Sequence, residues 1–172
     1  MVKTATVRFA AGLFFTCLLH ATPAFAQWRV AQETPVGSDR RIDVAVIEND
    51  SGHELRLFND EAHNVRAIFT IRGGFDTIDP GVCPTYRVDQ REAKRVTFEA
   101  GGCRMLPRQA EFTLGKVGQG RNRELHRIMN GSRIIFRYRL GGGNYRETSF
   151  TLRGSKYALT TAVDNLQAVS VE

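Results

Sequence analysis

The chain has 172 residues, with 24 Lys and Arg against 18 Asp and Glu, so its net charge of +6 is mild. That charge is spread along the chain with no basic block, and it favours anionic partners such as lipid headgroups, acidic polysaccharide or a host-cell surface. The length suits one domain with a real core, and the composition excludes a linker-divided pair of domains, a repeat array and a low-complexity tract.

Met1–Ala26 reads as a Sec-type secretory signal peptide. Lys3 and Arg8 make the basic start, Phe9–Leu19 the apolar stretch, and Ala24-Phe25-Ala26 the small-x-small cleavage site. The apolar run is shorter than the roughly 20 residues a membrane-spanning helix needs. Cys17 follows Thr16, so it lacks the small preceding residue of a lipoprotein signal. The mature chain is then expected to begin at Gln27, to carry a charge of +4 without Lys3 and Arg8, and to contain no transmembrane segment. It would be periplasmic or extracellular, which sets aside cytosolic enzymes and nucleic acid as a partner. Residues 27–172 are read as a single β-rich domain.

Apolar residues mostly alternate with polar ones, the period of strands. Trp28–Ala31 is a short apolar start with Trp28 in the core. Arg41–Ile47 puts Ile42, Val44 and Val46 on one face, and Glu48–Gly52 is a turn by composition. His53–Phe58 offers Leu55 and Leu57. Val65–Ile71 points Val65, Ala67, Phe69 and Ile71 inward, and Asp79-Pro80-Gly81 turns the chain before Cys83. Arg95–Phe98 and Glu111–Leu114 are short strands, and Gly115–Gly120 reads as a turn. Arg121–Asn130 is a helix capped by Asn122, with Leu125, Ile128 and Met129 as its apolar stripe and Gly131 as a left-handed stop.

The clearest element is a hairpin over 133–152. A three-residue loop, Gly141-Gly142-Gly143, pairs Leu140 with Asn144 and joins Ile134, Phe136, Tyr138 and Leu140 to Phe150 and Leu152 on one face. A four-residue loop would bury arginines, because a one-residue slip exchanges the faces. The favoured register sets Arg139 opposite Tyr145 and Arg137 opposite Glu147. Ser155 then caps a final helix to Leu166, with Tyr157, Ala158, Thr161 and Ala162 as its packing face, flanked by Leu159 and Val163. Seven or eight strands and two helices predict a mainly β fold: an antiparallel β-sandwich or half-barrel with a short helix, a C-terminal helix and one disulfide.

Without Cys17, the cysteines are Cys83 and Cys103. An even pair in an exported chain points to a disulfide, and closing that loop is worth about 3 kcal/mol in the chain-entropy model. Metal or redox roles fit less well, since there is no C-x-x-C and no neighbouring histidine completes a zinc set. No catalytic constellation, cofactor motif or metal set is recognised, so the chain is read as non-enzymatic. Asp60, Glu61 and His63 form the nearest thing to an acid–base cluster, on what reads as a solvated turn. The outer face of the hairpin is the candidate binding site: Arg133, Arg137, Arg139 and Tyr145 project together with Glu147 as the one acid. Arginine beside an aromatic ring can hold anionic sugars, phosphate or lipid headgroups, and the same pattern also serves as an ordinary charged strand face that blocks edge pairing.

The leader, Trp28 just after its cleavage site, the spaced cysteine pair and the closing run Phe150-Thr151-Leu152-Arg153-Gly154-Ser155-Lys156-Tyr157-Ala158-Leu159 together resemble the invasion-associated locus B family of proteobacterial exported proteins. Members often carry further cysteines near the start, which this chain lacks. The resemblance implies a small β-rich exported protein without known enzymatic activity. The leading expectation is a non-enzymatic binding protein of the bacterial envelope or surface, with a host-facing role among its settings. Its partner would be an anionic polysaccharide, a lipid headgroup, or an envelope or host protein. The alternatives are a small periplasmic hydrolase using Asp60, Glu61 and His63, and a structural or inhibitory partner of another envelope protein.

Overall fold

Period-two patterning is realised as strands in nearly half of the described residues. The structure, a computed structural model, describes residues 27–34, 39–99, 102–116 and 123–163. Along these residues run β1 (Arg29–Glu33), β2 (Ile42–Glu48), β3 (Glu54–Asn59), β4 (Asn64–Thr70), β5 (Thr85–Val88), β6 (Lys94–Arg95), β7 (Cys103–Leu106), β8 (Gln109–Lys116), α1 (Arg123–Asn130), β9 (Arg133–Arg139), β10 (Tyr145–Thr151) and α2 (Ser155–Ala162). They form two antiparallel sheets, one of six strands in the order β1-β2-β3-β4-β8-β7 and one of four in the order β10-β9-β5-β6.

The core lies between the sheets. Leu55, Leu57, Ala67, Phe69 and Phe112 face it from the larger sheet, and Tyr86, Ile134, Phe136 and Phe150 from the smaller. Phe69 stacks on Phe136 across the interface with centroids 4.9 Å apart, an aromatic contact worth about 0.5–1.5 kcal/mol beyond area burial. At one side of the sandwich, Trp28 Nε1 donates to the Thr151 carbonyl at 2.9 Å, tying the start of β1 to the end of β10. At the other side, the Cys83–Cys103 disulfide joins the segment before β5 to the edge strand β7.

The hairpin register is the one that burial selects. Tyr145 pairs with Arg139, Glu147 with Arg137 and Phe150 with Ile134, and the Leu140 N–H donates to Asn144. Several expectations are corrected. Among the described residues there are ten strands, with β5 and β7 unforeseen, and the strand expected at Arg95–Phe98 shrinks to Lys94–Arg95. Gly115 and Lys116 end β8 where a turn was expected, and residues 117–120 lie outside the described residues. Ile42, Val44 and Val46 do share a face, but it is the outer one. Ala45 and Ile47 face the core because they pair with Leu57 and Leu55.

Gly131 does not adopt a left-handed conformation; a side chain there would collide with Val88, the Arg127 carbonyl and Leu152. Ser155 does not cap its helix. Gly154 holds that position at φ 82°, and the buried Ser155 hydroxyl donates to the Ile128 carbonyl, joining α2 to α1. Ser155, Ala158, Leu159 and Ala162 form the packed face of α2, whereas Tyr157 is 78% exposed and Thr161 points to solvent. The candidate leader at 1–26, the Asn122 cap and the helix extension over 164–166 lie outside the described residues. Among the described residues, no helix is long and apolar enough to cross a membrane.

Candidate functional site

Strand alternation sorts β9 into two faces. Ile134, Phe136 and Tyr138 enter the core, so Arg133, Arg137 and Arg139 face outward. Tyr145 on β10 stands opposite Arg139, and its ring takes the Arg137 guanidinium, whose Cζ lies 4.7 Å from the ring centroid. Such a contact leaves the guanidinium edges free for oxyanions while fixing its plane.

Sheet order adds residues that sequence reasoning missed. β5 pairs with β9, setting Thr85 opposite Arg137 and Arg87 opposite Ile135, and β6 pairs with β5, setting Arg95 opposite Thr85. Arg95 therefore joins the outer face from a distant point in the chain. β6 is held by its inward neighbour: Lys94 Nζ lies 2.5 Å from Glu124 Oε1, and the Tyr86 hydroxyl donates to the same carboxylate at 3.2 Å. Burial, reinforced by the Glu124 charge, raises the Tyr86 pKa well above the ordinary tyrosine value, so this phenol remains a donor.

Arg95, Arg137, Arg139, Phe98 and Tyr145 line one groove of about 750 Å3, whose wall includes Cys83 of the disulfide. Phe98 and Tyr145 remain 49% and 53% exposed there. Arg139 sits deeper than Arg137 and meets Asp79, with Nε 3.4 Å from Oδ2 but without a hydrogen bond. The Asp79 N–H donates to the Arg139 carbonyl at 2.8 Å, holding this acid beside the strand. Glu147 is thus not the one acid of the face, and it lies 3.9 Å from Arg87.

Arg133 departs from the expected cluster. It points the same way as Arg137, but four residues of strand place it about 13 Å along β9, where it lines a separate cavity of about 1100 Å3. The face brings Arg137, Arg139 and Tyr145 together and sets Arg133 apart.

Asp60, Glu61 and His63 border a smaller cavity of about 320 Å3 with Arg40 and Arg41. Asp60 accepts from the backbone N–H groups of Ala62 and Asn64 and from the Asn64 side chain, so its carboxylate closes the β3–β4 turn. Glu61 and His63 are exposed, His63 at φ 60°. Among the described residues, no group of three or more His, Cys, Asp or Glu side chains could hold a metal ion. Comparison of the chain with protein-family models, with curated proteins and with solved structures finds no match.

Proposed function

We propose that this chain is an exported, non-enzymatic binding protein of the bacterial envelope or surface, and that it holds an anionic ligand on the outer face of the four-stranded sheet. The observation that carries this reading is the groove lined by Arg95, Arg137 and Arg139 together with two half-exposed aromatic rings, Phe98 and Tyr145, with the Arg137 guanidinium over the Tyr145 ring. Guanidinium forks match carboxylate, sulfate and phosphate oxygens, and exposed rings offer apolar faces beside them. The resemblance to the invasion-associated locus B family belongs to the same proposal, as a resemblance in export and β-rich build. Host invasion is not transferred with it.

The test uses Arg95→Glu with Arg137→Glu. Arg139 is left intact because its partner Asp79 makes reversal there a structural change. Binding to a polyuronate such as alginate should fall by about a hundredfold, from roughly 1.5 kcal/mol for each charge-assisted hydrogen bond removed. The double variant should stay folded and lose only about 1–2 kcal/mol by urea unfolding, because neither arginine forms an ion pair among the described residues, while Arg137→Glu gives up the Tyr145 ring contact and faces Glu147. Unchanged binding in a folded double variant removes this groove as the site.

A further inference from the structure

We propose that the ligand is an extended anionic polysaccharide that lies along the outer face of the four-stranded sheet and occupies both arginine-lined cavities at once. The inference rests on the anionic-ligand reading above and names the ligand's class and reach.

The second cavity is walled by turns from both sheets. Arg91, Arg133 and Arg153 bring guanidiniums to it, and Gln90, Ser149 and Thr151 bring amide and hydroxyl groups. Its walls are pinned. Asp89 is held at φ 56°, and its Oδ1 accepts from the Ser132 and Arg133 N–H groups, each at 3.0 Å. Asn49 reaches across from the larger sheet to Thr148 Oγ1 at 2.7 Å. Asp89 therefore directs its charge at backbone donors, and Asp50 is the remaining acid in the lining.

Acids meet two arginines of this face, Glu147 at Arg87 and Asp79 at Arg139, and leave the others unpaired, where the opposite outer face is largely neutralised. Among the described residues, Arg91, Arg95, Arg133, Arg137 and Arg153 form no ion pair. On the six-stranded sheet, Arg56 meets Glu54 at 2.6 Å, Arg66 meets Glu111 at 2.6 Å and Arg104 meets the same Glu111 at 4.0 Å, with Arg29 the exception. Paired arginines lock a surface, and unpaired ones are open to an anion from solution.

The span decides the size of the ligand. Arg133 and Arg139 are six residues apart on one straight strand, about 20 Å. Arg87 stands between them, opposite Ile135. One phosphate or one headgroup reaches one cavity; a polymer with a negative charge on each repeat reaches both. Both sites are concave, and hydroxyl and amide side chains accompany the arginines, which suits sugar hydroxyls better than a planar bilayer surface. Engaging two linked sites raises affinity by roughly 100-fold or more over one.

The experiment compares a uronic-acid disaccharide, a long polyuronate and vesicles of phosphatidylglycerol against the full chain and two variants, Arg95→Gln with Arg137→Gln, and Arg133→Gln with Arg153→Gln. The expected result is polyuronate binding at least about a hundredfold tighter than disaccharide binding, with either variant lowering it to the disaccharide level. Disaccharide and polyuronate binding equally per site would overturn the bridging inference while leaving the anionic reading in place. Binding of vesicles but neither glycan would overturn the choice of polysaccharide, and binding of none of the three would overturn the anionic reading with it. Glutamine removes the charge and keeps a polar unbranched side chain, and a circular dichroism spectrum matching the parent certifies each variant.

Discussion

Arg137 and Arg139 stand two residues apart on β9 and meet different surroundings. Arg137 is exposed and lies over the Tyr145 ring, so its charge is open to a ligand, whereas Arg139 is half-buried beside Asp79 and braces the 77–79 segment. This difference is invisible in an alternating sequence, which gives both the same outward position. Arg95 was equally illegible as a site residue, because only the pairing of β6 with β5 brings it opposite Thr85. His53 provides a test at this scale. Its Nδ1 accepts from the Arg72 N–H at 3.1 Å, which places the proton on Nε2, 3.4 Å from the Tyr138 hydroxyl oxygen. Burial first, with the Arg108 charge adding to it, lowers this imidazole below its ordinary 6.5. The unfolded chain then binds the proton more readily. The resulting stability is fully present above pH 6.5 and is lost as pH falls from there through the folded-state value. Urea midpoints should therefore drop on acidification more steeply for the parent than for His53→Gln. Parallel pH profiles would contradict this assignment.

At the scale of elements, the β9–β10 hairpin was readable because two independent constraints agree. The triple-glycine loop allows a three-residue connection, and only that connection buries Phe150 and Leu152 with Ile134 and Phe136. The helices were less legible. In α2, small and apolar residues occupy adjacent positions, so the periodicity does not distinguish the Ala158–Leu159 face from one carrying Tyr157. Gly131 was assigned a conformational role when its role is spatial. A Cβ there would press on Val88, on the Arg127 carbonyl and on Leu152 Cδ1, where α1 meets the ends of β5 and β10. Gly131→Ala should destabilise the protein by about 1–3 kcal/mol, the usual penalty of overpacking. Gly142→Ala meets nothing within 4 Å and should stay within about 0.5 kcal/mol of the parent. Equal urea midpoints for the two variants would contradict the steric account.

Across the whole molecule, two antiparallel sheets share one core and are clasped at opposite sides by the Trp28–Thr151 hydrogen bond and the Cys83–Cys103 disulfide. The β class, the cysteine pair and most core residues follow from alternation and spacing. The sheet order does not, because β5 and β9 pair across residues 89–132, a span that holds two strands of the larger sheet. Replacing both Cys83 and Cys103 with Ser should lower stability by about 3 kcal/mol, read from urea unfolding without reductant. A variant as stable as the parent would show that the clasp adds nothing. The central claim is that the outer face of the four-stranded sheet receives an anionic ligand. Its most direct test is a nuclear magnetic resonance titration of the isotope-labelled protein with polyuronate. Shift changes should concentrate in 85–99 and 131–153 and fade as salt is raised. Changes centred on the outer face of the six-stranded sheet or around Asp60, Glu61 and His63, or no changes at all, would contradict it.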